Sequence, residues 1–286
     1  GLRAGAARWL PDRVLVDGGT TSIVDHLESV LGEPVSVSIA VGTARANRKP
    51  VLGVFDRRGR LIAYAKVGDT EVARGHVEGE AAALRRIADV GWTHLEVPDL
   101  IDAGEWNGMF VLVMSPLSAP IRHSWRRVGE VPDQAMRELS SAFDAGTHPL
   151  ASTPMFRACR EGATLLRHGD AGPRLREALD AVEQRHGGVE VRCGAWHGDF
   201  TPWNIAWGAG GRVLLWDWER FSQDALFGMD RLHFVSQTRV RRDGFGHVRA
   251  HGQGRAVGVV PRGDPHVGAE AVAHVQGHGH EHVDGV

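Results

Sequence analysis

Residues 196–204 of this 286-residue chain read Trp-His-Gly-Asp-Phe-Thr-Pro-Trp-Asn and contain the pattern H-x-D-x-x-x-x-N. Thirteen residues after Asn204, a short apolar segment ends at Asp217. Phosphoryl transfer needs one carboxylate that orients the attacking hydroxyl, and an amide oxygen and a second carboxylate that hold magnesium. Because magnesium prefers oxygen ligands and keeps several waters, few protein ligands suffice. In chain order, Asp199, Asn204 and Asp217 fit these three roles.

The chain contains an internal comparison for this motif. Residues 168–170 repeat the opening His-Gly-Asp, but Leu175 stands five residues after Asp170, where Asn204 stands five residues after Asp199. The first copy therefore lacks the amide that a metal site needs. A turn that contains His, Asp and Asn by chance is the alternative interpretation of the second copy.

With these motifs the sequence resembles the aminoglycoside phosphotransferase and choline-kinase-like family, which shares the protein-kinase fold. The motif H-G-D-F-x-P-W-N is more similar to that of the aminoglycoside phosphotransferase branch than to that of protein kinases, in which H-R-D is usual. The resemblance spans roughly residues 35–237. It implies an α+β, two-lobed fold with a small β-rich N-lobe and a mainly helical C-lobe. It also implies transfer of the ATP (or GTP) γ-phosphoryl group to a substrate hydroxyl, with Mg²⁺ as cofactor. Asp199 would orient the acceptor, and His197 would brace the catalytic loop.

The resemblance assigns Lys66 to the nucleotide phosphates. In kinases the third strand carries a lysine that binds the phosphates and pairs with a glutamate on the next helix. Lys66 lies near the end of the apolar segment 61–67, just before a predicted helix, and is one of only two lysines among 33 basic residues. A surface lysine on an exposed strand face is the alternative.

Two glutamates, Glu78 and Glu80, compete as the partner of this lysine. Glu80 shares helical spacing with Val77 and Leu84, which places it within an apolar stripe. Glu78 lies among polar positions, where a solvated role suffices. A carboxylate on a buried stripe needs a cationic partner, so Glu80 is predicted to hold Lys66.

Two further nucleotide contacts are expected from position alone. Residues 42–47 lie where a loop that covers the nucleotide should be, but they lack G-x-G-x-x-G, and an ordinary hairpin loop is an equal alternative. Residues 111–117 resemble the segment between the lobes, where backbone groups of Ser115 and Leu117 would hydrogen-bond adenine.

Composition limits the class of partner. The formal charge is −2, so no strong field recruits nucleic acid or an acidic membrane surface, and no apolar run approaches the roughly 18 residues of a membrane span. Two cysteines, Cys159 and Cys193, are too few for a disulfide framework or a zinc site, which favours a reducing cytoplasm. The resemblance implies a small-molecule hydroxyl acceptor. A cationic acceptor would need a cluster of acidic residues, for which Asp224 and Asp230 are candidates, but two carboxylates do not make that case. The oligomeric state stays open.

Four segments are predicted. They are an N-terminal extension with a short helix (1–34), an N-lobe (35–115), a C-lobe (116–238) and a low-complexity tail (239–286). Apolar patterns predict a helix after Ser22 through about Leu31, strands over 35–41, 51–55, 61–67 and 109–114, and a helix over about 72–90. The C-lobe should contain three helical stripes, short strands between about 189 and 218, and another helix from about Ala225 to Val235.

The tail differs in composition from the rest of the chain. Its 48 residues contain ten Gly, ten Val and seven His, and Phe245 is its only large apolar side chain besides valine. Such a segment hardly offsets its ordering entropy, so we expect disorder, and an out-of-frame reading of GC-rich DNA is a further hypothesis. The family usually has more helices at this place, so the acceptor half of the C-lobe is predicted to be incomplete. The histidines of 278–282 suggest adventitious metal binding, for which compositional bias is the alternative.

Other classes of protein fit parts of the sequence. One is a phosphotransferase homologue that binds nucleotide but is catalytically inactive or truncated. Another is a protein kinase, against which stand the missing H-R-D and D-F-G motifs, since Asp217 is followed by Trp218 and Glu219. A metal-binding protein that acts through its histidine tail is a third.

Overall fold

The structure is a computed structural model that describes residues 21–40, 49–118, 130–166 and 170–243. The described chain forms two compact units. The first comprises 21–40, 49–81 and 99–116, and the second comprises 82–98, 117–118, 130–166 and 170–243. Residues 82–98, which the predicted N-lobe includes, thus group with the second unit. The predicted covering loop 42–47 and the histidine cluster 278–282 lie outside the described residues.

Helices and strands are numbered along the described chain. The helices are α1 (Ile23–Leu31), α2 (Glu71–Ile87), α3 (Asp133–Ala142), α4 (Pro154–Leu165), α5 (Ala171–His186) and α6 (Met229–Asp243). The strands are β1 (Ser36–Ala40), β2 (Val51–Phe55), β3 (Leu61–Gly68), β4 (Leu95–Glu96), β5 (Leu100–Trp106), β6 (Met109–Met114), β7 (Gly146–Pro149), β8 (Glu190–Trp196), β9 (Ile205–Trp207), β10 (Val213–Leu215) and β11 (Ser222–Leu226).

Capping residues that are recognisable in the sequence mark both ends of helix α1. The Ser22 hydroxyl accepts the Asp25 N–H at 3.2 Å, and the Asp25 carboxylate accepts the Ser22 N–H at 2.8 Å, which completes a capping box. The helix ends at Gly32. Leu27 is fully buried in the core of the first unit, so the predicted helix is confirmed.

The first unit is built on an antiparallel sheet of order β1-β2-β3-β6-β5. Side chains alternate between the two faces of a strand. Ala63, Ala65 and Val67 of β3 belong to the core that includes Leu27 of α1. Lys66 therefore lies on the opposite face of β3. The four predicted strands and the predicted helix at 72–90 are confirmed within a few residues.

The second unit contains two three-stranded sheets, β4-β10-β9 and β11-β8-β7, with α3 to α6 around them. Strands β9 and β10 form an antiparallel hairpin, in which Leu215 pairs with Ile205. The loop 197–204 joins β8 to this hairpin. The sequence therefore places the H-x-D-x-x-x-x-N motif in a connection whose two ends belong to two different sheets.

The predicted helix of about 225–235 is present, but two boundaries near it differ from the prediction. The segment 222–226 is not helical, because it pairs with β8 as strand β11, and the helix begins only at Met229. That helix continues to Asp243, so the first five residues of the predicted disordered tail are helical.

Among the described helices, none combines the length and the apolar character needed to cross a bilayer.

Candidate active site

Lys66 and Glu80 form a buried ion pair in the first unit. The Lys66 Nζ lies 2.7 Å from Glu80 Oε1 and 2.6 Å from Oε2. The lysine side chain is 9% exposed and the glutamate is fully buried. Gly68 allows this approach of α2 to β3, because a Cβ at that position would overlap the backbone of Arg74 in the first turn of α2.

Helical position separates the two glutamates of α2 in the way that the apolar stripe predicts. Glu78 pairs with Arg74 at 2.8 Å in an exposed i, i+4 salt bridge. Arg74 also contacts the Glu105 carboxylate of β5. Glu78 thus belongs to a solvated network on the surface, whereas Glu80 faces the lysine.

The backbone of Ser115 is already engaged on one side. Its N–H donates to the Asp99 carbonyl at 2.9 Å, and its hydroxyl accepts the Asp99 N–H at 2.8 Å. Only the Ser115 carbonyl therefore remains for an adenine contact. Leu117 belongs to the second unit, where the adjacent Ser118 donates its N–H and its hydroxyl to the Glu96 carboxylate at 2.5 and 2.8 Å.

Gly198 explains why the motif reads H-G-D in this chain. Its φ is +81°, in the left-handed region that favours glycine. A Cβ at Gly198 would also overlap the backbone carbonyl oxygen of Arg220. The loop between His197 and Asp199 thus packs directly against the segment that follows Asp217, and no larger residue fits there.

His197 links the loop 197–204 to the segment after β10 from a fully buried position. The Asp199 N–H donates to its Nδ1 at 3.2 Å, so that Nδ1 carries no proton. Its Nε2 then donates to the Trp216 carbonyl at 3.1 Å. The ring also packs edge-on against Trp218 at 4.8 Å between centroids. This geometry gives His197 the role of a brace and leaves it poorly placed to exchange protons with solvent.

Asp230 of α6 anchors the same loop. Its carboxylate accepts the His197 N–H at 2.9 Å and the Gly198 N–H at 3.3 Å. Burial raises the pKa of Asp230 to about 6, although these two hydrogen bonds oppose the shift. Because its side chain is 2% exposed, the expectation that Asp230 contacts a cationic acceptor is wrong. Asp224 is exposed.

Asp199 is held through both of its carboxylate oxygens. Asn204 donates from Nδ2 to Asp199 Oδ2 at 2.9 Å and to the Asp199 carbonyl at 2.9 Å. His233 of α6 contacts Asp199 Oδ1 from Nε2 at 3.2 Å. The Asp199 side chain keeps 27% of its surface exposed, so the carboxylate is fixed in place yet open to a substrate.

Asn204 and Asp217 fit a magnesium ion. Because the Asn204 amide nitrogen points at Asp199, the carboxamide oxygen is the atom left to bind a cation. The Trp216 N–H donates to the Asn204 carbonyl at 3.3 Å, which extends the β9–β10 ladder, and Asp217 directly follows Trp216 in the chain. Asp217 has φ +70°, a conformation that non-glycine residues adopt sparingly and often at functional positions.

The rest of the coordination would come from outside the protein. Within the described ranges, no cluster of three or more His, Cys, Asp or Glu side chains is close enough to hold a metal alone. An amide oxygen, a carboxylate, phosphate oxygens and water together match the preference of magnesium for oxygen ligands.

His233 and the anchoring role of Asp230 were not predicted. Both lie on α6, more than 30 residues after the residues that they contact. The only trace in the sequence is their i, i+3 spacing, which places two polar side chains on one face of a helix that also buries Phe234. Such spacing does not reveal which loop that face meets.

Comparison with known proteins supports the fold. The sequence matches no family model and no curated protein. The structure resembles choline kinase LicA from Streptococcus pneumoniae with a TM-score of 0.50 at 15% identity, over 76% of this chain and 74% of that chain. LicA in complex with AMP gives 0.46 at 14% identity over 76% and 74%. A GDP complex of a variant of aminoglycoside 2'-phosphotransferase-IIIa gives 0.42 at 12% identity over 73% and 78%. The first likeness shows that the chain has a kinase-like α+β fold, which confirms the predicted fold class.

Proposed function

We propose that the chain is a small-molecule kinase of the choline-kinase-like and aminoglycoside phosphotransferase-like family. It transfers the γ-phosphoryl group of ATP to the hydroxyl of a small acceptor. The observation that carries the proposal is the loop 197–204, in which the Asp199 carboxylate is held by Asn204 and His233 yet partly exposed. The backbone of Asn204 is bonded to Trp216, the residue before Asp217. The fold shared with a choline kinase supports it.

Asp199 orients the acceptor hydroxyl and takes its proton as the hydroxyl oxygen attacks the γ-phosphorus. The new P–O bond forms to the acceptor, and the bond to the leaving ADP oxygen breaks. A base must lie within hydrogen-bond reach of the proton that it receives, and the bonds from Asn204 and His233 hold Asp199 for that purpose. Because phosphoryl transfer needs little covalent help, positioning and charge neutralisation supply most of the acceleration.

Lys66 neutralises phosphate charge, and Glu80 fixes its ammonium group. Asn204 and Asp217 would hold magnesium. When bound, magnesium neutralises charge on the nucleotide phosphates. His197 and Asp230 keep the loop in the shape that these roles require.

The engaged N–H of Ser115 favours adenine over guanine. The remaining carbonyl of Ser115 accepts a hydrogen bond, as the 6-amino group of adenine requires. The 6-oxo group of guanine needs a donor, and the Ser115 N–H already donates to Asp99. The backbone of Leu117 is the second expected contact. We therefore propose ATP as the nucleotide.

The test is transfer of label from γ-labelled Mg·ATP to choline and to kanamycin, which represent the two branches of the family. We expect the wild-type chain to phosphorylate at least one such hydroxyl compound. Asp199→Asn should lower the rate roughly a hundredfold or more without changing the affinity for Mg·ATP. The exposed Asp89→Asn variant, at a position with no proposed role in the site, is the matched control. Full activity of Asp199→Asn would contradict the proposal, and a chain that binds Mg·ATP but transfers nothing would be the inactive homologue.

A further inference from the structure

His233 touches the carboxylate on which the proposed reaction depends. Its Nε2 lies 3.2 Å from Asp199 Oδ1, and the two side chains are 26% and 27% exposed. An ionised carboxylate only accepts hydrogen bonds, so His233 is the donor. The H-x-D-x-x-x-x-N motif does not contain this histidine, which reaches the site from α6.

The two oxygens of Asp199 have different partners. Oδ2 accepts from Asn204 and Oδ1 from His233. A carboxylate held at one oxygen can still turn about its Cβ–Cγ bond, whereas one held at both oxygens cannot. Since a carboxylate offers about four acceptor positions, Asp199 can keep both partners and still receive the hydroxyl of a substrate.

The position of His233 is set by residues on either side of it. Asp230, one turn earlier on α6, is buried and bonded to the backbone of the catalytic loop. Phe234, the next residue, is fully buried and packs against Phe200 at 6.5 Å between centroids. Because Asp230 and Phe234 both hold α6 against the loop, the packing of this helix places His233 beside Asp199.

We infer that His233 is a positioning residue for Asp199, an inference that rests on the proposed function. The hydrogen bond from Nε2 to Oδ1 holds the carboxylate in the orientation that receives the proton of the acceptor hydroxyl. A small misplacement of a catalytic group costs up to about a hundredfold in rate. The contribution of His233 should therefore appear in kcat and leave nucleotide binding unchanged.

Three substitutions separate hydrogen bonding from packing. His233→Ala removes the side chain, His233→Phe keeps a ring without a donor, and His233→Gln places an amide donor near the position of Nε2. The exposed neighbour Leu232, replaced by Ala, is the control on the same helix. Each variant is assayed by transfer of γ-label from Mg·ATP to choline, kanamycin or water, whichever the wild type uses, and by calorimetric binding of Mg·ATP and thermal melting.

We expect His233→Ala and His233→Phe to lower kcat roughly tenfold or more, with KM and Kd for Mg·ATP within about twofold of the wild type. His233→Gln should recover kcat to within a few-fold, and Leu232→Ala should match the wild type. If the alanine variant melts early, the phenylalanine variant decides. Wild-type kcat in His233→Phe, or a glutamine variant that folds but is as slow as alanine, would overturn the inference. A wild-type chain without Mg·ATP binding or transfer would instead contradict the proposed function, and the inference with it.

Discussion

Lys66 and Glu80 meet so closely that one ammonium group contacts both oxygens of one carboxylate, at 2.7 and 2.6 Å. The pair joins β3 to α2 within the first unit, and both side chains are buried. Removing one partner of such a pair leaves a buried charge without its counter-charge, which is far costlier than losing an exposed pair. Loss of either partner should therefore destabilise the first unit, and the contact with Glu80 fixes the position of the proposed phosphate-binding lysine.

Glu80→Ala should lower the free energy of unfolding by about 3–5 kcal/mol, because it removes the carboxylate that contacts the buried Lys66 ammonium group. Glu78→Ala is the matched control on the same helix, since its 44% exposed side chain pairs with Arg74, and should cost no more than about 1 kcal/mol. Urea unfolding of both variants measures the difference. Equal losses would show that Lys66 does not depend on Glu80.

Gly198→Ala should destabilise the loop 197–204, because the left-handed backbone at Gly198 and its contact with Arg220 leave no space for a methyl group. We expect a loss of about 1–3 kcal/mol. Gly188→Ala is the control, since a Cβ there would meet nothing within 4 Å. Thermal melting of the two variants tests this, and a Gly198→Ala chain as stable as Gly188→Ala would be inconsistent with the described loop.

Asp230 should make stability depend on pH. Burial raises its pKa in the folded chain from 3.8 to about 6, so the folded state holds the proton more tightly than the unfolded state does. The stabilisation that this provides is complete below the unfolded pKa and is lost as the pH rises through about 6. Asp230→Asn removes this titration.

The measurement is the difference in unfolding free energy between wild type and Asp230→Asn at several pH values. The Asp230→Asn substitution also costs a hydrogen bond to the loop, but that loss does not depend on pH and only adds a constant to the difference in unfolding free energy. Relative to the variant, the wild type should therefore lose on the order of 3 kcal/mol between about pH 3 and pH 7. A difference that does not change with pH would show that Asp230 titrates normally.

The preference between ATP and GTP should depend on the Ser115 N–H, which already donates to the Asp99 carbonyl. Mg·ATP is expected to bind roughly tenfold or more tightly than Mg·GTP, because a guanine oxygen would find no donor at Ser115. Competition between the two nucleotides in a calorimetric titration tests this expectation. Tighter binding of Mg·GTP would mean that the Ser115 carbonyl does not contact the base.

Local spacing allowed the centre of the site to be predicted. Asp199 and Asn204 are five residues apart, and one hydrogen-bonded loop contains both. Glu80 followed from its place on an apolar stripe of α2, which is also a local property. Residues this close along the chain need no knowledge of the tertiary structure.

Contacts made by distant elements could not be predicted in this way. Asp230 and His233 reach the loop 197–204 only because α6 packs against it. The sequence pattern of α6 does not indicate which loop the helix contacts. Strand β5 was missed because its sequence contains charged residues and Gly104. Its hairpin with β6 turns at Asn107 and Gly108, both with positive φ, and an Asn-Gly pair of this kind is a strong hairpin signal.

The most direct test of the account is calorimetric titration of Mg·ATP into the wild-type chain, beside Asp217→Ala and the exposed control Asp224→Ala. The account predicts a saturable site in the wild type and in Asp224→Ala, and a site weakened roughly tenfold or more in Asp217→Ala. A wild-type chain that melts cooperatively but binds no Mg·ATP would contradict it, as would binding that does not change when Asp217 is replaced.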